Sequence, residues 1–166
     1  ITAIAQWDST SLAFQDITLF TTGDAVQWGT AHHVASGFVY LYGKDTSDPD
    51  SAVDIPLMRV PDSNPVGGTK EWISNAGTGT WTTTRASAVA VHVGNLYWFS
   101  CITFTGGVYN LLITPKGAKT VRRLTATNLY GPFTDTGVIY LVPLVGGNLV
   151  AHSPRFNTQF NNNIGI

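Results

Sequence analysis

The sequence predicts an all-β fold of short antiparallel strands, and three observations carry that expectation. Strand-sized runs rich in β-branched and aromatic residues recur along the chain, glycine- and asparagine-bearing turns separate them, and no stretch of ten or more residues holds a helical period. The 166 residues suit a single domain, 1–166, long enough to bury a sizeable core. Charged residues are 11% of the chain and hydrophobic ones 43%, a balance that excludes disorder. A net charge of −1, with no basic cluster larger than Arg122-Arg123, lacks the footprint of a protein that neutralises many phosphates. No nucleic-acid partner is expected. No uncharged apolar run approaches the ~18 residues of a membrane span, so no membrane partner is expected either.

Taken in order, residues 10–20 carry Leu12, Phe14, Ile17 and Leu19 at spacings that fit neither period, and their Thr and Asp content favours strand or loop over helix. Residues 28–34 and 38–42 read as a hairpin around Ser36-Gly37. Asp45, Asp48, Asp50 and Asp54 form a solvated outer loop without the spacing of a calcium-binding EF-hand. Leu96-Tyr97-Trp98-Phe99, residues 108–113 and residues 138–142 are further strands. Cys101 stands alone in an apolar run, which makes it a buried structural thiol with no disulfide or cysteine-based metal role. The chain opens on Ile1 and closes on what reads as a half-finished strand, so processing or truncation is expected.

A repeat emerges when strands are superposed. Residues 28–34, the Gly37 turn and residues 38–42 parallel residues 87–93, the Gly94-Asn95 turn and residues 96–99, with Tyr40 and Tyr97 in matching places 57 residues apart. A third unit opens near Leu149. In the second unit Val89, Val91 and Val93 alternate with Ala88, Ala90 and His92, the pattern of an inner strand squeezed between neighbours. Blade-like, four-stranded units of a β-propeller are therefore expected, about three in this chain, with a β-sandwich as the rival architecture.

The order of the motifs adds to this. Trp28-Gly29, the Tyr-rich strand ending at Gly43, Arg59-Val60-Pro61, Glu71-Trp72, Gly77-Thr78-Gly79-Thr80-Trp81, Gly131-Pro132-Phe133 and Ala151-His152-Ser153-Pro154 succeed one another. From about Trp28 onward this succession resembles the C-terminal part of the five-bladed β-propellers of an uncharacterised-domain group related to glycoside hydrolases, some of which degrade arabinan. The resemblance implies a secreted or extracellular protein acting on carbohydrate. It departs from the group at two carboxylates: Arg85 stands where relatives have Glu, and His152-Ser153-Pro154-Arg155 where they have His-Pro-Glu.

Glycoside hydrolysis needs two carboxylates, ~5–5.5 Å or ~6.5–9.5 Å apart. Most acids here lie in turns, and Asp24, just ahead of the Trp28 strand, is the one placed to face a central cleft. His32 and His33 point to opposite faces of their strand and make no ready metal site, whereas His92 reads as a hydrogen-bonded structural imidazole. No serine-hydrolase, zincin or nucleotide-binding motif occurs, and the residues call for no cofactor or metal. Among five tryptophans, Trp28 is the first choice as a sugar-stacking platform, at the start of an inner strand, with His32, Arg85, His152 and Asp24 completing a ligand site. These features predict a carbohydrate-binding, lectin-like propeller derived from a glycosidase scaffold. The alternatives are the C-terminal part of an active hydrolase of arabinan-like polysaccharide, or a purely structural protein of the same fold. Closed propellers use about four to eight blades, so a second chain or further copies of this one are expected to complete the ring.

Overall fold

The computed structural model of the chain describes residues 2–8, 13–20, 25–45, 54–94, 98–115, 118–141, 155–156 and 164–165, and among these the side chains of 25–45, 54–94, 102–115 and 118–141. Among the described residues every regular element is a strand apart from one 3-10 turn, Arg85–Ser87, and all strand pairing is antiparallel. β1 (Thr2–Asp8) pairs with β2 (Ala13–Phe20), so the described part of the ambiguous window, residues 13–20, is extended chain. The first large sheet, sheet I, runs β3 (Val26–Ala35), β4 (Phe38–Asp45), β5 (Ile55–Pro61), β6 (Glu71–Asn75), β7 (Thr80–Thr82), with β8 (Ala90–His92) also on β5. Sheet II is β9 (Trp98–Thr105), β10 (Val108–Thr114), β11 (Thr120–Ala126) and β12 (Thr134–Leu141) in sequential order. β13 (Arg155–Phe156) pairs with β14 (Ile164–Gly165).

Local chemistry explains both meanders. Each opens with a two-residue turn in which both residues have positive φ, Ser36 and Gly37 between β3 and β4, Gly106 and Gly107 between β9 and β10. That twist matches the flanking strands. Gly43 is required by packing: a Cβ there would lie 2.4 Å from Val26 Cγ1 and 2.8 Å from Trp28 Cε3, so the Trp28 ring rests directly on backbone. β5 is almost wholly apolar because both its faces are covered, Ile55 and Leu57 on one side, Met58 and Val60 on the other.

The two sheets share one core. Tyr40, Tyr42, Ile55, Leu57, Ile73 and Val91 of sheet I meet Ile102, Leu111, Ile113, Leu124 and Ala126 of sheet II, together with Leu129 and Phe133 of the 127–133 loop. Each sheet also carries an apolar cluster on its far side: Trp28, Leu41, Met58, Val60 and Trp72 on sheet I, Leu112 and Val121 on sheet II. The inward positions differ in parity. Tyr40 and Tyr42 are the third and fifth residues after Gly37, whereas Leu111 and Ile113 are the fourth and sixth after Gly107.

The repeat expected from the sequence is corrected by the pairing. Residues 87–93 do not form a hairpin with the strand that follows; β8 pairs with β5, through Ile55↔His92 and Pro56↔Ala90. Backbone bonds tie the same segment elsewhere, Val89 N–H donating to Ile73 O and Phe133 N–H donating to Val91 O. Pro56 has no N–H to prolong the ladder. Of the three alternating valines only Val91 is buried, while Val89 and Val93 are exposed, so β8 is not squeezed between two layers. The counterpart of the β3–β4 hairpin is β9–β10. The third unit expected from Leu149 lies outside the described residues.

Candidate functional site

The structure brings together two of the residues nominated from sequence. The Arg85 guanidinium stands 5.7 Å from the Trp28 ring centroid, on the far side of sheet I. Trp28, however, is only 3% exposed, packed among Leu41, Met58, Val60 and Trp72, and presents no open ring face to a sugar. Because His32 pairs across with Leu41 it shares that far side and is exposed, while His33 pairs with Tyr40 and faces sheet II. The opposite orientation expected of the two imidazoles is thus observed. His92 is the hydrogen-bonded imidazole expected, its Nδ1 3.0 Å from Phe133 O, which ties β8 to the loop before β12. Asp24 and His152 lie outside the described residues.

A different constellation occupies the inward side, toward the turn end of sheet I. Arg59 interrupts the apolar run of β5, and register places it opposite Tyr40 on β4 and Glu71 on β6. Residues directly opposite in an antiparallel pair share a face, so all three point the same way. Arg59 Nε donates to Glu71 Oε2 at 2.7 Å. Its guanidinium carbon lies 4.2 Å from the ring centroids of both Phe38 and Trp81, so the cation packs against two aromatic rings. Tyr40 closes the base, edge-on to Phe38 at 6.3 Å and to Trp81 at 5.7 Å. With Nε committed to Glu71, the Nη edge of Arg59 donates to no other described residue.

This cluster suits recognition of hydroxyl groups. A guanidinium edge donates in a fixed fork, and Glu71 supplies acceptor oxygens beside it. Clamping lowers the entropy lost on binding, because the fork is already posed. The site was within reach of sequence reasoning: a charged residue inside an otherwise apolar strand, followed by the chain's sole glutamate, is a conspicuous pairing. The aromatic strip continues past Tyr40. His33 meets Tyr109 edge-on at 5.8 Å, and Tyr109 meets Phe104 at 4.8 Å. Burial, and then the neighbouring His32, push the His33 imidazole below its ordinary range, which favours the neutral ring.

The other carboxylates behave differently. Asp54 sits above the usual carboxylate range, raised by burial and by the charge of Asp45, with His92 opposing. For Asp135, burial pushes upward, but hydrogen bonds from Arg122 and from Gly137 N–H, with the Arg122 and His92 charges, hold it below that range. Among the described residues no group of three or more His, Cys, Asp or Glu side chains is placed to hold a metal ion. No protein-family description matches the chain, and neither does any curated protein or solved structure.

Proposed function

We propose that this chain is a carbohydrate-binding, lectin-like protein built from β-propeller blades, with its sugar site at the clamped Arg59. The observation that carries the proposal is the guanidinium packed against both Phe38 and Trp81 and paired with Glu71. Together the pair is electrically neutral, donates along one edge and accepts along another, and is bordered by aromatic surface, which is the combination a neutral sugar presents in reverse. An acidic ligand would meet the Glu71 charge as well as the Arg59 charge, so neutral glycans are favoured.

The propeller part of the proposal draws support from parity. Two sheets related by a two-fold axis bury the same positions of their equivalent strands, whereas successive blades turned about a common axis stack front to back and bury opposite ones. The third and fifth positions after the turn in β4, against the fourth and sixth in β10, follow the second pattern. Apolar clusters on the far side of both sheets fit it too. On this reading the protein is secreted, and a second chain or further copies supply the remaining blades.

The runner-up is an active hydrolase of arabinan-like polysaccharide, favoured by Asp54, which burial and then the Asp45 charge move above the usual carboxylate range, the direction a leaving-group acid needs. A glycan array run beside a reducing-sugar assay separates the two. Binding without release, abolished by Arg59→Met, is the expected result. Release of reducing ends that disappears in Asp54→Asn overturns the lectin reading in favour of the hydrolase, and neither binding nor release overturns both.

A further inference from the structure

We infer that the Arg59 site is one end of an extended cleft that takes a chain of several sugar units, with Phe104 and Tyr109 forming a second subsite; this rests on the carbohydrate reading above. Phe104 is 56% exposed, a large apolar ring left open to solvent at the end of β9. An isolated exposed apolar residue needs no explanation, but this one leads through the half-buried Tyr109 and His33 toward the site already described, with the buried Tyr40 as floor between His33 and Trp81. From Phe104 the strip steps 4.8 Å to Tyr109, 5.8 Å from Tyr109 to His33, across the paired strands from His33 to Tyr40, and 5.7 Å from Tyr40 to Trp81. One hexose covers about one such step, so no single sugar touches both Phe104 and Arg59.

The two ends have different chemistry. The Arg59 end offers a fork and a carboxylate, which orient hydroxyls and set which sugar is accepted. The Phe104 end has no charged group in contact with its ring among the described contacts; it offers a ring face and the tilted Tyr109 beside it, at an interplanar angle of 49°. Stacking of that kind is tolerant of hydroxyl configuration and rewards the length of the chain more than the identity of the unit. The seam between β3 and β9 lies under the strip, so an occupying chain runs across the strands and contacts both sheets.

Ladders of one to six units of arabinan, xylan and β-glucan, titrated calorimetrically into the wild-type chain and into Phe104→Ala, test this. The expected result is an affinity that rises at least about tenfold between the shortest and longest oligomers of one ladder, the rise being lost in Phe104→Ala while the short-oligomer affinity stays put. Circular dichroism of the variant confirms that the exposed position has not disturbed the fold. Affinity independent of length in wild type, or a length-dependent gain that survives Phe104→Ala, overturns the second subsite and leaves the Arg59 site standing. Failure of every ladder, together with an absence of binding across the glycan array, overturns the carbohydrate reading itself.

Discussion

The two sheets are built to one plan up to the join between their third and fourth strands, where each places an arginine–carboxylate pair. In sheet I this is Arg59 on β5 with Glu71 on β6; in sheet II it is Arg122 on β11 with Asp135 on β12, and in both the Nε–oxygen distance is 2.7 Å. What surrounds the pairs separates them. Arg59 and Glu71 are 19% and 29% exposed and the cation is held between two rings, whereas Arg122 and Asp135 are 33% and 34% exposed and no ring clamps Arg122 among the described contacts. Asp135 is secured instead by the Gly137 N–H at 2.8 Å, within the bulged register of the edge strand β12. The same ion pair therefore serves as an oriented recognition edge in one sheet and as a tie for an edge strand in the other.

The sharpest way to break this contrast is to remove a wall of the clamp. Trp81 packs against the shared core as well as against Arg59, so Trp81→Ala is expected to cost about 2–3 kcal/mol of stability, somewhat below the ~3–5 kcal/mol of a fully buried Trp. Urea denaturation of the variant beside Arg122→Ala measures it. The sheet II variant is expected to lose under about 1 kcal/mol, as exposed pairs do. Equal losses would mean that the two pairs are energetically alike and that the rings add nothing.

Next in size is the effect on ligand. Arg59→Met keeps the stem that packs between Phe38 and Trp81 but removes the fork, and is expected to weaken glycan binding by about tenfold or more, the worth of one charged hydrogen bond. Arg122→Met is expected to leave binding unchanged. Parallel titrations with whichever neutral glycan the array selects decide the matter, and a comparable loss in both variants would dissolve the distinction.

Much of the fold was legible because it is written in local chemistry. The positive-φ turns at Ser36-Gly37 and Gly106-Gly107, and the aromatic and branched strands that flank them at 38–42 and 108–113, follow from rules that act over a few residues. The second hairpin failed for a reason that no local rule contains. Residues 87–93 carry a good strand pattern, but which strand they join was decided by Ile55, Ile73 and Phe133, all distant in sequence. The site divided in the same way. Trp28 and Arg85 lie 5.7 Å apart, yet the covering of Trp28 by Met58 and Trp72 is a tertiary fact, and so is the meeting of Phe38, Arg59 and Trp81 from three strands. Length of separation, rather than weakness of signal, set the limit.

The smallest expected effect concerns acid. Asp135 has a folded-state pKa below its unfolded value, so its contribution to stability is present above the unfolded pKa, near 4, and is lost as pH falls through the depressed folded value. Asp135→Asn is therefore expected to lower stability at neutral pH by under about 1 kcal/mol, given its exposure. The variant should also show a flatter decline below pH 4, its curve converging with that of wild type in strong acid. Urea midpoints measured from pH 7 down to pH 2 would show this. If the two curves stay parallel throughout, the Arg122 and Gly137 contacts do not hold the carboxylate in solution, and the edge strand is secured by its backbone ladder alone.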